Sequence, residues 1–206
     1  FTLLIAVPCS IGMAVLADPL SRMLFPGKNV HLLIQLTRVG SFAVLLYSLS
    51  TITNAILQGL GHLNLPLYHS MVALVLHLLS LVLFLYAGLG IYGVVLSNIV
   101  FALIMCFLNQ RAIFRHTRFR IDLFRSLVMP MLSGLIMGGA AYVIYFVIHV
   151  LLPEGLRKGR VGSALSLLPA VFIAILIYFF LLLRSHTLTR EDLDEMPMGG
   201  RLKRFL

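Results

Sequence analysis

Between His31 and Pro66 a long apolar run holds an arginine and a row of hydroxyl and amide side chains, and these are the residues best placed to do chemistry. Thr37, Ser41, Ser48, Thr51 and Gln58 follow one another at spacings of four, seven, three and seven. On an α-helix, at about 100° per residue, such spacings stay on one face. Asn54 and Arg38 flank it. A guanidinium can hold phosphate oxygens in bidentate fashion, and hydroxyls and amides add hydrogen bonds. Hydrocarbon penalises these groups, by ~3 kcal/mol for a central arginine, so the stripe is expected to face a bundle interior or a wet cavity. Arg38 has two readings: a fork for phosphate, or a side chain that snorkels to the outer headgroups from only six residues into its span.

The elements that must position these residues are membrane spans. The 206 residues are 60% hydrophobic and only 11% charged, with a mean hydropathy of +1.03. Soluble domains carry roughly a quarter charged residues. Six apolar stretches can be drawn, at 1–17, 32–60, 65–87, 91–109, 126–152 and 163–183. Each approaches the ~20 residues a bilayer needs, and none shows the polar alternation of barrel strands. The expected fold is all-α, a polytopic membrane helical bundle of six transmembrane helices. It divides into four spans at 1–110, a basic linker at 111–125, two C-terminal hydrophobic helices at 126–184 and a tail at 185–206. The chain begins with Phe1 inside an apolar helix, without the basic leader or small-residue cleavage site of a signal peptide, so we expect a C-terminal portion of a longer protein.

The net charge of +9 matters less than its placement. Ten of the sixteen basic residues fall between the fourth and fifth spans or after the sixth, two regions on the same side; the opposite side holds five, three of them in the loop at 151–162. The positive-inside rule then places the C-terminus in the cytoplasm of a multi-pass protein of the cell membrane. The basic linker has a topological role and contacts anionic membrane lipids, or it is a regulatory site. Arginine and aromatic residues are not interleaved on any extended soluble surface, which argues against nucleic acid as a partner.

Other spans carry fewer polar groups. His69, Ser70, His77 and Ser80 fall within roughly a 100° sector of the third, open to interhelical hydrogen bonding, cavity lining or proton coupling. The two histidines lie ~12 Å apart along the axis, too far to share one metal ion easily. Ser97 and Asn98 either bridge helices or touch substrate. Gly134, Gly138 and Gly139 give the fifth span a small-residue surface for close packing. The last two spans are apolar enough to anchor in lipid or to hold an alkyl chain. Cys9 and Cys106 read as small packing residues, and no metal or cofactor spacing appears. Pro8 is expected to kink the first span, Asp18-Pro19 to end it, and residues 20–29 to form an interfacial turn. The tail from Thr189 reads as an amphipathic surface helix.

The runs IAVPCSIGMAVLADPLSRMLFPG, NAILQGLGHLNLP and GLGIYGVVLSNIVF together resemble the C-terminal half of lipid-linked-sugar flippases of the multidrug, oligosaccharidyl-lipid and polysaccharide exporter superfamily. The ending LTREDLDEMPMGGRLKRFL is similar to the stage V sporulation protein B branch. This resemblance implies a fourteen-helix transporter of two lobes, with the six spans here similar to helices nine to fourteen. It implies alternating access for a polyprenyl-pyrophosphate-linked sugar, with the remaining lobe as partner. The candidate cavity residues are then Arg38, Ser41, Ser48, Thr51, Asn54, Gln58, His69, His77 and Asn98. A cation-coupled multidrug exporter of the same superfamily would want carboxylates inside the membrane, where only Asp18 stands, at an edge. A membrane enzyme would want clustered acids or histidines, and none cluster. A non-transporting envelope or sporulation scaffold gains little from a polar stripe within a span.

Overall fold

The computed structural model describes residues 2–25, 29–117, 123–153 and 160–184. Among them the chain is all-α: α1 (Thr2–Val15), α2 (Ala17–Leu24), α3 (Val30–Gly59), α4 (Asn64–Tyr86), α5 (Ile91–Thr117), α6 (Leu123–Leu151) and α7 (Arg160–Arg184). Five of these helices are long and apolar enough to cross a bilayer, and the bent pair α1–α2 makes up to a sixth span. The protein is a polytopic helical membrane bundle. α5 continues to Thr117, so Arg111 and Arg115 extend a helix rather than open a loop. Residues 118–122 of the basic linker, 154–159 of the loop at 151–162 and the tail (185–206) lie outside the described residues.

The proline expectations resolve into a different geometry. α1 runs unbroken through Pro8, and the sharp bend, 77°, comes between Val15 and Ala17. Its cause is Pro19, which has no N–H for the carbonyl four residues back, that of Val15, and whose ring crowds the same turn. The Leu4 carbonyl, orphaned in the same way by Pro8, accepts a hydrogen bond from the Tyr178 hydroxyl of α7 at 2.8 Å. That external partner keeps α1 helical across its proline, as bilayer backbone requires. Of residues 20–29, the expected interfacial turn, those up to Leu24 are helical instead and belong to α2, in which Arg22 pairs with Asp18 one turn earlier at 3.0 Å; 26–28 lie outside the described residues.

Two joints are closed by glycine. In α3, Gly61 donates to the Gln58 carbonyl and His62 to that of Leu57, both at 3.0 Å; in α4, Gly88 and Leu89 repeat the pattern onto Leu85 and Phe84. This paired closure requires a left-handed residue, and Gly61 and Gly88 have φ of +81° and +78°.

α1 sits between two groups, packing on α3 on one side and α6 on the other; α3 and α4 both pack on α5, and α6 on α7. Large side chains such as Leu79, Leu83, Phe172 and Phe180 point outward, as lipid permits. Small residues let the helices close up, and Ala73, Ala102, Ala141, Ala170, Ser97 and Ser166 are fully buried, as are larger side chains such as Leu57 and Ile113.

Candidate functional site

An open groove of about 560 Å³ lies between α1, α3 and α5. α3 supplies Gly40, Ala43, Val44, Tyr47, Ser48 and Thr51; α5 supplies Val95 and Asn98, and α1 supplies Thr2. The α3 residues recur at three- and four-residue steps and so form one helical face. A Cβ at Gly40 would stand 3.9 Å from Val95 Cγ1, an ordinary van der Waals contact, so α5 passes close to α3 at this level without needing a glycine there. A hydrogen bond from the Tyr47 hydroxyl to Asn98 Oδ1, 3.3 Å, ties the two walls together. Asn98 Nδ2 in turn donates to the Val94 carbonyl of its own helix at 2.9 Å. Tyr92 similarly donates to Gln35 Oε1 at the other end of the α3–α5 contact.

The single stripe expected on α3 divides among several settings. Ser48 and Thr51 line the groove, their hydroxyls bonded to the carbonyls of Val44 and Tyr47 at 2.8 and 2.9 Å. Ser41 is buried against α1: it donates to the Arg38 carbonyl at 2.7 Å, and its own carbonyl accepts from Ser10 Oγ, also at 2.7 Å. Thr37 faces α2, with its hydroxyl 3.5 Å from that of Ser21. Gln58 is exposed near the helix end, and Asn54 turns to α5. Arg38 is exposed and does not line the groove. At about 100° per residue it lies roughly 120–180° around the helix from Gly40, Val44 and Tyr47.

A second polar cluster, further along α3 and α5, centres on Asn109, which is fully buried. Its Nδ2 donates to Asn54 Oδ1 at 2.6 Å and to Thr53 Oγ1 at 3.1 Å. Its Oδ1 stands 2.7 Å from His69 Nδ1. An amide oxygen only accepts, so this network puts the imidazole proton on Nδ1. His77 makes an analogous contact, its Nδ1 2.9 Å from the Ser97 carbonyl. Both histidines therefore join α4 to α5. Near the same end of the bundle the rings of His62 and His116 meet at 4.0 Å between centroids, tilted by 38°.

Sequence reasoning missed Asn109, Thr53 and Tyr47. Asn109 carries a readable signal, because it shares a helical face with Ala102, Met105 and Ala112, all buried, where an amide must find partners. Tyr47 carries none: an aromatic in an apolar run reads as lipid-facing. Among the described residues no group of three or more metal-ligating side chains gathers.

No family model and no solved structure matches the chain. Among curated proteins it is similar to the protein named probable lipid II flippase MurJ of Bdellovibrio bacteriovorus, with 27% identity over 182 residues. The match covers 86% of this chain and 34% of the relative, so the chain spans about a third of the length of the curated relative it matches.

Proposed function

We propose that the chain is the C-terminal part of a transporter that flips a lipid-linked oligosaccharide or cell-wall precursor across the cell membrane by alternating access. The observation that carries this reading is the groove walled by α3 and α5. It presents Tyr47, Ser48, Thr51 and Asn98 within spans otherwise suited to lipid, where unneeded polar groups are penalised. The similarity to a protein named as a lipid II flippase supports it. In this reading the six spans correspond to helices nine to fourteen of a fourteen-helix protein, with α1–α5 in its second lobe and α6–α7 as the final hydrophobic pair. The remaining lobe completes the cavity, and the C-terminus is cytoplasmic, a reading supported by the basic residues from Arg111 to Arg125 and from Arg184 onward under the positive-inside rule.

The test is translocation by the full-length protein in vesicles that hold a polyprenyl-diphosphate-linked sugar in one leaflet. Appearance of the sugar on the opposite leaflet supports the reading; retention on the starting leaflet overturns it and favours a scaffold. Arg38→Ala is expected to stay within about twofold of the wild-type rate, because an arginine on the far side of α3 from the groove serves the headgroup level by snorkelling.

A further inference from the structure

The hydroxyl hydrogens of the groove's α3 wall are already committed. Ser48 donates to Val44, Thr51 to Tyr47, and Tyr47 to Asn98 Oδ1, at 2.8, 2.9 and 3.3 Å. A hydroxyl has one hydrogen and two lone pairs, so what these three residues offer a ligand is lone pairs. Asn98 has spent one amide hydrogen on Val94, which leaves its second, together with the Thr2 hydroxyl, for any acceptor. No lining residue is cationic, and Arg38 is turned away.

A phosphate group is anionic and rich in acceptors; it needs several donors or a cation. Here it would meet mostly other lone pairs. A sugar brings the opposite complement, because each of its hydroxyls can donate, while its C–H surface suits the Gly40, Ala43 and Val44 side of the groove. We infer that the α3–α5 groove is the subsite for the uncharged, hydroxyl-bearing part of a lipid-linked substrate, and that the diphosphate is held elsewhere. This rests on the flippase reading and assigns one part of the substrate to one wall of the cavity.

The experiment measures binding of two probes to the full-length protein in detergent: a bare polyprenyl diphosphate, and the same lipid bearing a disaccharide. A Ser48→Ala, Thr51→Val double variant should lose about tenfold in affinity for the glycosylated lipid, the scale of one to two hydrogen bonds, and nothing for the bare one. Thr51→Ser alone, which keeps the hydroxyl, should bind both as wild type does. Equal loss of both lipids in the double variant, or no loss of either, overturns the subsite while leaving the flippase reading in place. Wild-type protein that binds neither lipid overturns both.

Discussion

Where α3, α4 and α5 meet, the helices are joined by amides, imidazoles and hydroxyls. Where α6 and α7 meet each other and α1, the buried contacts are mainly glycine, alanine and tyrosine, with the Tyr178 hydroxyl adding one hydrogen bond to α1. The first group centres on Asn109, whose three partners come from α3 and α4. The second centres on Ala141, Ala170 and Ala174 with Tyr145 and Tyr178. Lipid tails are as apolar as leucine, so neither group has a hydrophobic drive to assemble; one uses directed hydrogen bonds and the other close van der Waals contact. Directed bonds hold helices at chosen points and let them diverge between those points, and the groove opens between two such ties. Close packing instead draws α6 and α7 together along their small residues. The contrast therefore separates the part of the bundle that can meet a polar ligand from the part that supports it.

The largest effect is expected in the close-packed group. A Cβ at Gly134 would lie 2.6 Å from Ile11 Cδ1 and 3.3 Å from Val7 Cγ1, and one at Gly138 2.8 Å from Ile11 Cγ2. Gly134→Leu must push α1 from α6, at a cost of about 3 kcal/mol. Thermal unfolding in detergent should report it, and Ile11→Ala should recover most of the loss. If Gly134→Leu is neutral, the packing account of this half is wrong.

Next comes the polar group. Asn109→Leu removes the partner of His69 Nδ1 and of Asn54 Oδ1 at once, while Thr53 keeps its bonds to the carbonyls of Leu49 and Ser50, and should destabilise by about 2 kcal/mol, between the modest average of membrane hydrogen bonds and the larger cost of leaving buried groups unpaired. The same measurement on Asn98→Leu, at the more open tie to Tyr47, should show about half of that. Equal values would mean that burial at Asn109 adds nothing and that the two ties are equivalent.

These two groups were unequally legible in the sequence. The six spans, their order and the close-packing role of Gly134 and Gly138 follow from hydropathy and small-residue spacing, and Gly139, read with them, has nothing within 4 Å of its notional Cβ. The polar half was legible as a stripe but not as a site. Periodicity puts Ser41 and Ser48 on one face, yet it cannot say that α1 covers the first while the second stays open, because that depends on which helix packs where. The 77° bend shows the same limit: a proline's effect falls four residues before it, so Pro19 marks the break at Val15, while the carbonyl freed by Pro8 finds its partner in a tyrosine 170 positions further on.

That tyrosine carries the smallest of these effects and the one that connects the two halves. Tyr178 reaches from the apolar α7 to the Leu4 carbonyl of α1, the helix that also borders the groove through Thr2. Tyr178→Phe removes the only polar atom of the side chain and leaves the carbonyl without its partner, so it should cost about 1 kcal/mol. Pro8→Ala supplies a backbone N–H to the same carbonyl from within α1. In that background Tyr178→Phe should cost roughly half as much, a coupling that a double-mutant cycle in detergent unfolding would measure. Additive losses would mean that the tyrosine acts through packing alone and that the proline carbonyl finds its partner by other means.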